Sequence, residues 1–460
     1  MFIGNLGTAM RTSMWDLMYV LMKKHKADYF GIYLGWKPAL VVNSRDLAKN
    51  IIVRDFAHFQ NRFVSPGHQD PEGALNLLTV KNPMWSTLKQ EMSPMFTSLR
   101  LKVITELMNV NAAELVTRIR TDYIGNRLPV DLKELFSMYT SDTAAYTVFG
   151  LRVSVLKDRM SPLWPKVRQM VNWNFWRGLE FILIFFTPAL AQILRLKLFS
   201  ASATAYTKQL FWEVVKNRQG AVNTSDKDLM NHLLKLKESS KLPDGGDAQM
   251  ADDLMVAQSV MIIFGAIQAS STTLSYLLHE LAYHPEKQEK LFNEISEALQ
   301  AKGTDLQFND LTELNYLTAC VKETLRKYPT FAFLDRVCTK KYQLNDKVTI
   351  EEGTPVYVNV NAIHYNEEFW PNPEEWNPER FGESTDNNNH DFTFIPFGDG
   401  PRFCIGKRYA FAQIRIAIVH MVKNFRFKPA EPYIIEKDPY SLILVPKGGG
   451  KVRFISRKDN

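Results

Sequence analysis

Cysteine is scarce: the 460 residues hold only Cys320, Cys338 and Cys404. A small, odd number excludes a disulfide framework and points to a reducing compartment. Zinc-protease spacing is missing too. "HELAYH" (279–284) comes near it, but His279 and His284 are not the four residues apart that one helical face needs, and Pro285 follows. A dinucleotide fingerprint is also absent. In "GDGPRF" (398–403), Phe403 occupies the third glycine position and no strand-then-helix unit surrounds it. Electrons from a nicotinamide would therefore need another protein to bring them. No arginine-rich arm or RNA-binding signature occurs, which sets nucleic acid aside as a partner. Neither sign of charge dominates: 56 Lys and Arg against 49 Asp and Glu give +7, suited to an acidic partner or an anionic membrane surface.

Long apolar runs are few. "FILIFFTPALAQIL" (181–194) is broken by Pro188 and falls short of the roughly 20 residues a spanning helix needs. It reads equally as a helix lying on a membrane, followed by Arg195 and Lys197, or as a buried core helix. The opening "MFIGNLGTAMRTSMWDLMYVLMKKHK" moves straight into an amphipathic helix without a signal-peptide pattern. No internal repeat shows.

What is present describes an ordinary globular chain, 45% hydrophobic and 23% charged. "YFGIYLGWKPALVVNS" (29–44) alternates around Gly35 and Pro38 and predicts a hairpin. Helical periodicity dominates from about 100 to 220 and from about 250 to 330. Polar loops are expected at 217–228 and 237–249. Beyond 335 the texture changes. Residues 347–363 predict strand, turn, strand, and "SLILVPKGGGKVRFI" (441–455) predicts a hairpin around three glycines. The loop 364–390, dense in Pro and Asn, is too long to be a mere connection.

Two stretches carry chemistry. In "KETLRKYP" (322–329), Glu323 and Arg326 are neighbours on one helical face. Most such pairs are solvated. This one stands where a helix ends at Pro329, and "NPERF" (377–381) offers Arg380 downstream. One carboxylate between two guanidiniums would staple the long loop to that helix. In "FIPFGDGPRFCIG" (394–406), Cys404 follows Gly398, Gly400, Pro401 and Arg402, in a segment too glycine-rich for helix or strand. A buried structural cysteine is the commoner case by residue type. Here, however, backbone amides can gather around the sulfur, and Gly406-Lys407-Arg408 opens a helix whose positive end favours an anion.

Together these motifs resemble the cytochrome P-450 family of haem-thiolate monooxygenases, in its animal microsomal branch and most of all its insect detoxification members. The likeness runs from about residue 4 to the C-terminus and includes "RDFAHF" (54–59), "MWSTLKQEMSPMFTS" (84–98) and "FLDRVC" (333–338). It implies a mainly α fold with small β-sheets in one domain, 1–460. A β-containing lobe of roughly 27–62 with parts of 335–363 would stand beside a helical lobe. Haem b would lie between a long distal helix and the proximal loop, with Cys404 as iron ligand, Phe397 shielding the sulfur and Gly406 beside it. Trp85, Arg336 and Arg402 would ground the propionates, and Lys89 stands where many members carry arginine. Glu323, Arg326 and Arg380 would form the family's triad. The pocket for a small lipophilic substrate would be faced by Phe264, Ile267, Phe331, Phe333 and Leu442. Electrons would come from NADPH through NADPH–cytochrome P-450 reductase, with cytochrome b5 as a second donor, docking near Lys407, Arg408 and Lys89. The implied place is the cytoplasmic face of the endoplasmic reticulum membrane, held peripherally, since no spanning anchor is read in this chain.

One segment departs from the family. Where members usually have Ala/Gly-Gly-x-Asp/Glu-Thr on the distal helix, this chain has Gly265-Ala266-Ile267-Gln268-Ala269. The acid and the alcohol deliver the two protons that dioxygen cleavage consumes. Gln268 cannot ionise and Ala269 cannot donate. Ser270 is about 100° further round the helix, and Thr272 and Thr273 lie nearly a turn on. A substrate hydroxyl or an ordered water could stand in. Three readings follow: a monooxygenase with altered proton delivery, an enzyme rearranging a peroxide, or a haem protein that binds without turnover.

Overall fold

Apolar residues at helical spacing through the two long stretches give helix after helix. In a computed structural model, residues 4–124, 128–158, 160–218, 230, 232–234, 248–303, 306–382 and 391–457 are described. The loops read at 217–228 and 237–249 lie almost wholly outside them. The main helices are α1 (Met14–Lys24), α2 (Met84–Met92), α3 (Ser98–Ile119), α4 (Leu132–Phe149), α5 (Leu163–Val171), α6 (Phe175–Phe186), α7 (Pro188–Ile193), α8 (Ala201–Arg218), α9 (Ala248–Tyr283), α10 (Pro285–Lys302), α11 (Asn315–Lys327) and α12 (Lys407–Asn424). Local signals set their ends. Asp131 caps α4 by accepting the Glu134 N–H at 2.8 Å, and Gly150 closes it in the left-handed conformation. Almost every residue of α4 is buried, because it lies against the central helix α9. Its buried polar side chains find partners within the core: Thr140 and Thr143 bond carbonyls one turn back, and Asp142 accepts the Val155 and Leu156 N–H groups.

The sheets are small, as the resemblance implies. Strands β1 (Tyr29–Leu34) and β2 (Lys37–Val42) form the expected hairpin. After β3 (Val130–Asp131) come β4 (Phe333–Val337), β5 (Tyr342–Asn345), β6 (Val348–Ile350), β7 (Pro355–Asn359), β8 (Phe425–Pro429) and β9 (Lys451–Ser456). The largest sheet has the order β1-β2-β7-β4, β7 running parallel to β2 and antiparallel to β4. The others are β3-β9-β8 and β5-β6. The mainly α class with small sheets is therefore the observed architecture.

The strands expected in 347–363 are present as β6 and β7, which join different sheets: β6 pairs with β5, while β7 enters the four-stranded sheet. Two other local readings need more detail. Residues 441–455 are no hairpin. Leu442, Ile443, Leu444 and Val445 are all buried, and the Leu444 N–H donates to the Thr330 carbonyl. The run thus sinks into the core, leaving β9 to pair with β3 and β8. The stretch 181–194 divides. Phe181, Ile182, Ile184, Phe185 and Phe186 are core, whereas Ile193 beyond Pro188 is 76% exposed. Among the described residues, the one helix long and apolar enough to cross a membrane is Gln249–Tyr283, and more than half of that stretch is buried inside the protein.

The loop after residue 364 is nailed down by Trp376, fully buried, whose indole N–H donates to the Thr324 hydroxyl of α11 at 3.1 Å. Trp376→Ala should cost about 3–5 kcal/mol. In thermal unfolding, a transition unchanged from the parent would show that the loop does not rely on this anchor.

Candidate functional site

The proximal loop is shaped by two glycines with positive φ, Gly398 and Gly400. At Gly400 a Cβ would stand 2.3 Å from the Ile52 carbonyl oxygen, so only glycine fits. The turn closes with the Cys404 N–H donating to the Phe397 carbonyl at 2.8 Å. Cys404 is surrounded by protein, and burial pushes its thiol up, opposed by the Gly406 N–H and by Lys89, Arg62 and Lys407. As a whole residue Cys404 is nevertheless exposed. Phe397 packs on Phe411 with ring centroids 5.6 Å apart.

Cations gather along one wall. Arg402 donates to the Gln60 and Val80 carbonyls at 2.6 and 3.0 Å and lies 4.3 Å over the Trp85 ring. Arg336 donates to the Asp335 carbonyl at 2.7 Å. Lys81 donates to the carbonyls of Arg62 and Val64, and Arg62 pairs with buried Asp335 at 2.9 Å. Burial pulls Arg336 down to about 9, Arg402 to about 8 and Lys81 to about 8. Four cations thus share one carboxylate, and Arg336 Nε and Arg402 Nη1 are buried with no partner. Such a cluster is costly alone and fits a group carrying two carboxylates. The donor set therefore fits haem: a sulfur for the iron and unsatisfied guanidiniums for the propionates. Lys89 donates to the Phe403 carbonyl at 2.9 Å and feels Cys404, Arg62 and Arg402.

Glu323 and Arg326 are both wholly buried. Arg326 Nε and Nη2 each donate to the carboxylate at 2.8 Å, and Arg380 Nε lies 3.4 Å from its Oε1. The triad is assembled. Sequence reading missed its link to the thiol loop, His364. Nδ1 donates to the Arg326 carbonyl at 3.0 Å, and Nε2 accepts the Ile395 N–H at 2.9 Å. Burial, with Arg326 nearby, pulls this imidazole down to about 3, so it stays neutral.

The long helix expected on the distal side is α9. Along it Met261, Ile262, Phe264, Gly265, Ala266 and Ala269 are partly exposed, the last three being small. Gln268 points elsewhere, its Oε1 2.7 Å from Lys133 Nζ and its Nε2 3.4 Å from the Val171 carbonyl. The Thr272 hydroxyl is buried without a partner. Of the apolar candidates, Phe264 and Phe331 are half-buried. Ile267, Phe333 and Leu442 are buried, and Phe333 packs on Phe186 and Tyr357. Arg62, Lys81, His364 and Lys133 carry no spacing signal; only the fold brings them to the site.

A cysteine in a glycine-shaped loop, with buried guanidinium nitrogens left without partners, fits the haem-thiolate class of oxidoreductases. The cytochrome P450 family model matches residues 1–454, and the chain belongs to that family of monooxygenases, whose cofactor is haem b. It is 32% identical over 434 residues to Cytochrome P450 6l1 of Blattella germanica, covering 93% of this chain and 84% of that one. It is 30% identical to Probable cytochrome P450 6g2 of Drosophila melanogaster (98% and 91% covered) and to Cytochrome P450 6j1 of Blattella germanica (100% and 91%).

A charge-assisted hydrogen bond contributes about 1.5–3 kcal/mol. Arg336→Met should therefore release haem roughly ten- to a hundred-fold faster, read as transfer to a haem-free globin. An unchanged rate would remove Arg336 from the cradle.

Proposed function

We propose that this protein inserts one oxygen atom of O2 into a small lipophilic substrate while the other leaves as water, using two electrons from NADPH brought by NADPH–cytochrome P-450 reductase. The observation that carries this is the placement of Cys404 in a glycine-shaped loop, in a molecule whose buried Arg336 and Arg402 keep guanidinium nitrogens without partners. Haem, when bound, supplies the activation of oxygen.

In this reading the Cys404 thiolate would hold the haem iron and Phe397 would cover the sulfur, while Gly406 donates its N–H to it. Arg336 and Arg402 bind the propionates, with Trp85 under the Arg402 guanidinium. Phe264 and Phe331 touch substrate, while Ile267, Phe333 and Leu442 form the layer behind. Lys89, which bonds the Phe403 carbonyl and feels Arg62 and Arg402, joins the cofactor-binding cations. Lys407 and Arg408, exposed at the start of α12, suit an acidic redox partner, the reductase or cytochrome b5. Exposed Ile193 and Leu194, followed by Arg195 and Lys197, support peripheral contact with the cytoplasmic face of the endoplasmic reticulum membrane.

Ala269 favours a second reading. With no hydroxyl at the small-residue stripe, a peroxide substrate that brings its own oxygens would need no proton delivery from α9. Both readings are separated by incubating haem-loaded protein with reductase, NADPH and a panel of lipophilic compounds, recording product and released peroxide together. The reduced carbon-monoxide spectrum reports thiolate ligation and should be lost in Cys404→Ala. Product with little peroxide is expected. Peroxide without product from any compound, corrected by Gln268→Glu with Ala269→Thr, would overturn the reading. Product from a hydroperoxide alone would establish the second, and spectral shifts on ligand binding without any product would leave a binding protein.

A further inference from the structure

Lys133, the second residue of α4, turns inward and is only 8% exposed. Its Nζ lies 2.7 Å from Gln268 Oε1, 2.5 Å from Ser271 Oγ and 3.3 Å from the Gln268 carbonyl. Three oxygens thus meet the three N–H donors of an ammonium. Among the described residues no carboxylate pairs with it. A buried cation without a counter-ion is an expensive arrangement, rarely kept for packing alone.

The groups around it are few. Asp131, two residues earlier, acts on Lys133 through space while its own carboxylate caps the Glu134 N–H and feels Lys451 and Glu134. From α9 come only the uncharged Gln268 and Ser271. From α5 comes the Val171 carbonyl, which holds the other end of the Gln268 amide. Burial outweighs Asp131 and pulls the ammonium down to about 7, where both charge states are populated near neutrality.

We infer that Lys133 is the titratable positioning residue of the distal helix in this chain, its charge state setting how Gln268 and Ser271 are held where the family's pattern has a carboxylic acid. The inference rests on the monooxygenase reading. Charged, Lys133 draws the Gln268 side chain and carbonyl towards α4 and donates to Ser271, whose hydroxyl bonds the Ile267 carbonyl at 2.6 Å. On losing a proton to solvent, Nζ keeps a lone pair and two N–H groups. One of the three acceptors then loses its donor, and the Ser271 hydroxyl can turn to donate to the amine. Proton delivery along α9 thereby becomes sensitive to pH through a residue that touches neither haem nor substrate.

The test measures the share of NADPH electrons released as hydrogen peroxide by the reductase-coupled holoprotein across neutral pH. The wild type should change at least about two-fold, with a midpoint near about 7. Lys133→Met should flatten the profile, and Lys133→Arg should hold it at the acidic limit. Gln268→Glu gives the ammonium a counter-ion and should move the midpoint upward. A second readout needs no turnover. The folded group near about 7 lies below the unfolded value of 10.5. Between the two the unfolded chain binds more protons, so the melting temperature of wild type relative to Lys133→Met should rise with pH across that window. Should Lys133→Met fail to take up haem, Lys133→Arg and Gln268→Glu carry the test. A flat wild-type profile on measurable NADPH oxidation overturns the inference, as does the wild-type midpoint persisting in the variants or a pH-independent stability difference. Absence of NADPH oxidation in every variant sinks the monooxygenase reading and this inference with it, and is distinct from a flat profile.

Discussion

The guanidinium of Arg326 holds the functional half of the molecule in register. It spends its donors on both Glu323 oxygens and on the carbonyls of His364, Pro373 and Glu375. One side chain thus fixes α11, the short helix Val360–His364 after β7 and the long loop at once. From the Arg326 backbone the connection passes through neutral His364 to Ile395, two residues before the loop that carries Cys404. A buried carboxylate–guanidinium pair is poor as a source of net stability, but removing one partner strands the other charge. That asymmetry suits an element whose task is to place a loop.

The haem wall shows a similar economy of charge. Arg62, Lys81, Arg336 and Arg402 are oriented by backbone carbonyls and by Asp335, so their directions are set by protein while their charge is left over. The fold therefore carries in advance the positive potential that an anionic cofactor needs. The distal side is the reverse. There α9 leaves the small Gly265, Ala266 and Ala269 partly exposed and keeps Gln268 and Ser271 turned towards Lys133.

Local signals were legible because they are local. The hairpin of β1 and β2 follows from alternation around a turn, and the Cys404 loop from glycines that the backbone path demands. The Glu323–Arg326 pair follows from helical spacing. What escaped depends on partners far along the chain. Arg62 meets Asp335, and Lys133 meets Gln268, with no periodicity to announce either. The misread hairpin at 441–455 has the same origin: an apolar run before three glycines looks like a strand, whether it pairs or sinks into a core. Apolar side chains are alike in sequence, so Ile267, Phe333 and Leu442 could not be told from Phe264 and Phe331 until burial separated them.

The parallel pairing of β2 with β7, Leu40 beside Val356, also orders events in time. A strand made early in synthesis must wait for most of the remaining chain before its neighbour exists, and contacts so distant are slow to form. The same closure brings the segment carrying Arg62 against β4, which carries Arg336. The cofactor wall is therefore completed only once Arg402 has been made, and until then the nascent chain can offer haem no finished place to bind.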